Sequence, residues 1–178
     1  MKIAIVGPIA SEDVMPYLSK DTGHLPEGYR GASFLSSLIG VLLKKGHEVY
    51  AYTLDVGMSP EQEPITASGP AFKFCIIPCR PRAIWFNRNH VGRILDFFSV
   101  ERALLRKNIS IDNVDIIHAH WSYEFALAAI ETKMPHLITC HDSPLKVLRY
   151  IPTIYRLGKF FMAKEVFKKG RAFTTVSE

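Results

Sequence analysis

Apolar positions recur along this chain with two different periods, and the alternation of those periods predicts the fold. Lys2–Val6 is a short run rich in Ile and Val, stopped by Gly7-Pro8, as expected of a strand buried on both faces. Over Ser33–Lys45 the apolar residues Phe34, Leu35, Leu38, Ile39, Leu42 and Leu43 fall at helical spacing. Lys44 and Lys45 suit the negative end of that helix, and Gly46 can take the left-handed stop. Strands are predicted at Glu48–Thr53 and Phe72–Pro78, with the Pro- and Gly-rich stretch 54–70 between them read as an exposed loop. A long helix is predicted over His90–Asn108, followed by a strand at Val114–His118, a short helix at Tyr123–Thr132 and a strand at His136–Cys140. Pro144 argues against helical continuation at Ser143, and the chain ends with a helix over Pro152–Lys169 and a strand at Ala172–Val176. Strands alternating with helices of this length need right-handed crossovers. The expected fold is a single α/β domain: a doubly wound, Rossmann-like parallel sheet flanked by helices.

The 178 residues suffice for one such domain and are too few for two ordinary ones. A composition 48% hydrophobic and 22% charged excludes a disordered chain. No apolar run reaches the ~18 residues of a spanning helix, and the apolar start before Gly7 is too short for a signal peptide. Cys75, Cys79 and Cys140 cannot build a disulfide framework, so a reducing, cytoplasmic setting is expected. The net charge of +5 hides a segregation: residues 80–109 carry seven basic and two acidic side chains, and residues 146–178 eight and two. The stretches 1–79 and 110–145 are acidic on balance. Two basic blocks are either solvated helix faces or a surface for an anionic partner. No RNA-binding, helix-turn-helix or zinc-finger pattern accompanies them, so nucleic acid is not the expected partner.

Open α/β sheets bind ligands beyond the carboxyl ends of their strands, which selects segments 7–32, 79–88, 118–124 and 141–150. The connection from Gly7 to Gly31 exceeds the usual strand-to-helix loop and closes on Gly31-Ala32-Ser33 at the mouth of the first helix. Backbone N–H groups there form a seat for phosphate; the plainer reading is a helix capped by Ser33. Neither a dinucleotide fingerprint nor a P-loop is present. His118 and His120 lie two apart on a strand, so both imidazoles point to one side, and Trp121 follows. His141 and Asp142 emerge where the next strand breaks. His118, His120, His141 and Asp142 could in principle form a hydrolytic metal site, but barrel metallohydrolases need a longer chain and a further His–Asp pair.

In this order, Lys2–Gly7, Gly31-Ala32-Ser33, Lys45-Gly46-His47-Glu48-Val49, Ile117-His118-Ala119-His120-Trp121, Leu137-Ile138-Thr139-Cys140-His141-Asp142 and Thr175-Val176-Ser177-Glu178 resemble the N-terminal domain of the family-4, GT-B-fold glycosyltransferases. The similarity covers essentially the whole chain. It implies the acceptor-side half of a retaining, nucleotide-sugar-dependent hexosyltransferase, as in polysaccharide biosynthesis. The partner half would be a C-terminal domain absent from these 178 residues that holds most of the donor, and the chain alone would be inactive. The Glu-x7-Glu pair of that second domain has no counterpart here, since no two glutamates stand eight apart.

The resemblance assigns His141 to the reaction centre, against the transferred sugar. It places Gly31, Ala32 and Ser33 near the donor diphosphate. The family often has two glycines there and this chain has Arg30-Gly31, so Arg30 would supply charge of its own. His120, Trp121, Asp142 and Tyr29 are the expected acceptor contacts, with Trp121 read equally well as a core residue. No metal or other cofactor is expected, the nucleotide sugar being a substrate. The implied partners are the donor, a glycan or lipid-linked acceptor and the C-terminal domain. In the helix over 152–169, Phe160 and Phe167 share a face flanked by Arg156, Lys159, Lys164 and Lys168. That pattern reads either as an anionic membrane surface met through segments 80–109 and 146–171, on the inner face of a membrane, or as aromatics packed inside. A non-catalytic α/β domain binding a phosphorylated ligand or a protein partner is the alternative to the transferase.

Overall fold

The computed structural model describes residues 1–20, 23–82 and 91–176. Seven strands form one sheet: β1 (Lys2–Val6), β2 (Glu48–Asp55), β3 (Ile65–Gly69), β4 (Phe72–Pro78), β5 (Ile116–His120), β6 (His136–Cys140) and β7 (Phe173–Thr175). Their order is β3-β4-β2-β1-β5-β6-β7, and every pairing except the antiparallel β3–β4 is parallel. Without β3, this is the doubly wound order in which the chain builds outward from β1 first to one side and then to the other.

Side-chain alternation divides the core into two layers. Ile3, Ile5, Val49, Ala51, Phe72 and Phe74 face α2 (Phe34–Lys44), whose Leu35 and Ile39 are fully buried among them. Ala4, Val6, Tyr52, Leu54, Ile117 and Ala119 face the opposite layer, with α3 (Ser99–Asp112), α4 (Glu124–Glu131) and α6 (Ile154–Lys169). The helix α2 stops as its sequence implies, with Gly46 at φ 79°. No helix among the described residues is long and apolar enough to cross a membrane.

Four local readings need correction. The stretch 54–70 is not all loop: β2 runs on to Asp55, and β3 adds an edge strand in which only Ala67 is buried, too faint an alternation to read as a strand. The helix predicted over 90–108 begins only at Ser99, because Phe97 and Phe98 both adopt left-handed backbone (φ 54° and 59°). His90 and the segment 83–90 lie outside the described residues. Ser143 is extended, as a residue before proline should be, but Pro144 then opens an unexpected helix, α5 (Pro144–Tyr150), at the first position where proline's missing N–H costs nothing. The long 7–31 connection carries a short helix, α1 (Ser11–Val14), and a 3-10 turn, Met15–Tyr17.

The late start of α3 has an electrostatic cause. Arg80, at the end of β4, is gripped by two carboxylates. Its Nε and Nη2 donate to Glu101 at 3.0 and 2.8 Å, and Nη1 and Nη2 donate to Asp96 at 2.9 Å each. Asp96 in turn accepts from the Ser99 hydroxyl (2.7 Å) and N–H (3.3 Å) at the first turn of α3. Burial alone would raise its pKa, but the bonds from Arg80 and Ser99 and the Arg80 charge hold it below the usual carboxylate range. Glu101 is fully buried, so removing its carboxylate leaves the Arg80 Nε without a partner and only the part-exposed Asp96 to balance the guanidinium. Glu101→Ala is therefore expected to cost ~3 kcal/mol of unfolding free energy, and Asp96→Ala, whose side chain is 33% exposed, ~1 kcal/mol. Urea unfolding midpoints check this: equal losses for the two variants would contradict the assignment of the main grip to Glu101.

Candidate functional site

The strand order reverses at the β1–β5 pair, and there the carboxyl ends of β1, β5 and β6 open a crevice. Period-two alternation puts His118 and His120 on the α2 face of β5, opposite Ile117 and Ala119. Gly7, just past β1, lets α2 approach that strand end: a Cβ there would lie 3.0 Å from Leu35 Cδ1 and 3.1 Å from His120 Cβ. His118 Nε2 shares a hydrogen bond with Thr139 Oγ1 on β6 at 2.6 Å. His120 Nδ1 shares one with His141 Nε2 at 3.0 Å. Phe34, the first residue of α2, sets its ring 5.1 Å from that of His141, tilted, and 6.0 Å from that of His120, edge-on.

These imidazoles are held neutral. Burial pushes the pKa of His120 down to about 2, with the neighbouring His118 and His141 adding to the effect. Burial also lowers His118, and lowers His141 against the opposing pull of Asp142. His120 Nε2 is buried with no partner among the described residues, and an unpartnered lone pair there is cheaper than an unpartnered N–H. That assigns the shared proton to His120 Nδ1, which donates to His141 Nε2. The remaining proton of His141 then sits on Nδ1, which has no hydrogen-bond partner among the described residues. His141 is thus a neutral donor facing the crevice.

Beyond β5 the backbone turns through Trp121 at φ 69°, a left-handed conformation that a bulky residue adopts only when its surroundings enforce it. The turn sends the indole against Tyr29 (rings 5.5 Å apart, edge-on) and Phe125 (6.3 Å). A Cβ on Gly31 would lie 3.3 Å from the indole, so the loop entering α2 rests on Trp121. Asp142 is fixed by Tyr123, whose hydroxyl donates to both carboxylate oxygens at 3.0 Å. Burial, and then the Asp142 charge and this hydrogen bond, push the Tyr123 phenol well above its ordinary pKa.

The crevice therefore brings together His141, His120, Trp121, Tyr29 and Asp142, with Gly31 against Trp121. Ala32 is buried, and the exposed Ser33 precedes α2 without capping it through its side chain. Arg30 does not join them: it is exposed and pairs with Glu12 at 3.6 Å. His118 is spent on Thr139, and among the described residues no three His, Cys, Asp or Glu side chains converge as metal ligands would.

Sequence reading missed the far wall of the crevice. A cavity of about 330 Å³ extends from His141 and Asp142 to Arg82, Arg93, Tyr155, Arg156 and Lys159. In sequence Lys159 is one of four cations flanking the Phe160 and Phe167 face; in the fold it is buried in an ion pair with Glu124 and lies 4.5 Å from the centre of the Phe98 ring and 4.8 Å from that of Tyr123. Its only sequence signal is a lysine on the apolar side of a helix. Arg80 and Arg93 of the first basic block are likewise buried, Arg102 pairs with Glu131, and Arg88 lies outside the described residues.

The histidine pKa shifts fix a pH dependence. A base whose pKa is depressed on folding binds its proton in the unfolded state first, so stability is full above the unfolded pKa, near 6.5, and falls as pH drops towards the folded value. Between pH 6 and pH 4, the wild type is expected to lose up to ~1.4 kcal/mol per pH unit more than His120→Asn, which keeps a donor for His141 but cannot titrate. Unfolding free energies measured across that range check it; parallel profiles would show that His120 is not held neutral.

A model of Glycosyltransferase Family 4 matches residues 31–178. The sequence matches none of the curated proteins. Among solved structures, the fold is similar to an α,α-trehalose-phosphate synthase (UDP-forming) from Burkholderia vietnamiensis at 15% identity and a TM-score of 0.50, over 94% of this chain and 37% of that one. A structure of trehalose-6-phosphate from E. coli bound with UDP-2-fluoro glucose matches at 11% identity and a TM-score of 0.49, over 95% of this chain and 38% of that one. The chain thus spans well under half the length of either. The family match starts at Gly31, where the mouth of α2 meets Trp121, and takes in both strand-end histidines and the whole of β5, β6 and β7. The chain belongs to glycosyltransferase family 4.

Proposed function

We propose that this domain is the acceptor side of a retaining glycosyltransferase that moves a hexose from a nucleotide sugar to a glycan or lipid-linked acceptor. The observation that carries the reading is the neutral His120–His141 pair, presented at the strand-order reversal beside the first residues of α2. Transfer forms a bond from an acceptor hydroxyl oxygen to the anomeric carbon and breaks that carbon's bond to the diphosphate, which leaves with the negative charge and takes up the hydroxyl proton. Preorganised donors stabilise such charge at little reorganisation cost. The positive dipole end of α2, after Gly31-Ala32-Ser33, is suited to the diphosphate, and His141 Nδ1–H to a hydroxyl of the transferred sugar.

Trp121 and Tyr29 offer ring faces and edges to an acceptor sugar, with Asp142 and His120 bordering it. Arg30, exposed and paired with Glu12, stands outside this arrangement. A second domain closes the crevice and carries the nucleotide, so this domain alone does not turn over, and no metal is required. The enzyme works in the cytoplasm. Its α5–α6 surface, with Tyr150, Ile151, Ile154 and Phe161 exposed among Lys146, Arg149 and Lys164, rests on an anionic membrane.

In the full-length protein, His141→Ala is expected to lower kcat roughly 100-fold or more, with KM for the donor changed far less and the thermal midpoint little altered. Initial-rate kinetics with a radiolabelled nucleotide sugar measure this. Unchanged kcat in a folded variant would remove His141 from the reaction centre.

A further inference from the structure

The cavity beside His141 holds more positive charge than its carboxylates balance. Lys159 is neutralised by Glu124, and Asp142, the lone carboxylate among the described lining residues, accepts from Tyr123. Among the described residues, Arg82, Arg93 and Arg156 have no carboxylate in ion-pair contact. Arg93 is 5% exposed; its Nη1 donates to Cys79 Sγ (3.0 Å) and to the Arg80 carbonyl (2.9 Å), while its Nε is buried and unpartnered. Arg156 Nε is also buried and unpartnered. The three guanidinium charges bordering the cavity are left without a matching carboxylate, and a bound anion would balance them.

We infer that this cavity receives the phosphate of a phosphorylated acceptor, held by Arg93, Arg156 and Arg82, with the acceptor's ring against Trp121 and its reacting hydroxyl towards His141. The role of the ligand as acceptor rests on the transferase reading above; the anion site does not. A volume near 330 Å³ is at the lower end of the ~300–1,000 Å³ typical of small-molecule pockets, suiting a monosaccharide phosphate better than a nucleotide sugar. The phosphate could be borne by a soluble sugar or by a lipid, and the two sources present the same group to the same arginines.

The test titrates the chain with inorganic phosphate, with a hexose and its 6-phosphate, and with vesicles of phosphatidic acid or of phosphatidylcholine, following the side-chain Nε–Hε resonances of Arg93 and Arg156 by NMR. The hexose phosphate is expected to bind at least about tenfold more tightly than the hexose, and Arg156→Gln to abolish that preference while the variant keeps the wild-type circular dichroism and thermal midpoint. Arg82→Gln, at an exposed position, serves the same purpose if Arg156→Gln does not fold. A preference carried by phosphatidic acid vesicles alone, and lost in the same variant, supports the site and assigns the phosphate to a lipid. No preference for phosphate from either source, or one that survives both substitutions, overturns the inference. In the full-length protein, equal kcat/KM for phosphorylated and neutral acceptors overturns the anion site and leaves the transferase reading intact. Phosphate binding without any transfer does the reverse.

Discussion

Parallel strands can be joined only by crossovers, and a chain that winds outward from β1 in both directions must leave a gap where the two windings part. Everything chemical in this molecule depends on that gap. It lies over the carboxyl ends of β1 and β5, and the connections leaving the two strands diverge, one towards α2 and the other towards α4. Because residues alternate along a strand, the same geometry puts His118 and His120 on the α2 layer and seals Ile117 and Ala119 into the other. His141 then meets His120 because β6 pairs with β5 in a register that sets Thr139 beside His120.

The two walls of the gap are electrostatically unlike. On the α2 side, three imidazoles lie in a packed, poorly solvated layer that keeps them uncharged, so that they act through N–H groups and lone pairs. On the α6 side, charge is buried deliberately and compensated: Arg80 by Glu101 and Asp96, Lys159 by Glu124 and by aromatic rings. Buried ion pairs of this kind contribute little net stability, but each holds an element in one place. Arg80 ties the end of β4 to the start of α3, and Lys159 ties α6 to α4. The cavity between these ties is lined by the cations that remain unmatched. A neutral donor beside a cationic pocket suits a reaction in which the charge to be managed is on the substrates.

The architecture was legible in the sequence because it rests on period. Six of the strands and α2, α4 and α6 follow from apolar spacing, as do the same-side placement of His118 and His120 and the break at His141. The loop over 54–70 and the early start of α3 were misread for one reason: local spacing carries no information on pairing. The edge strand β3 exists because β4 offers it an edge, and α3 starts late because Arg80 holds Asp96 and the two residues before the helix are left-handed. The cationic wall was hidden for the converse reason. Lys159 and Arg93 look like surface charges until the fold brings Glu124, Phe98 and Tyr155 around them. Arg30 is adjacent in sequence to the loop, yet its exposed side chain pairs with Glu12 outside the crevice.

The measurement that bears most directly on this account is a crystal structure of the full-length protein holding a nucleoside diphosphate sugar. The transferred sugar should lie within hydrogen-bond reach of His141 Nδ1, the diphosphate against the N–H groups at the start of α2, and the nucleoside on protein outside residues 1–178. A donor whose sugar sits away from His141, or whose nucleoside is held within this domain, would contradict it.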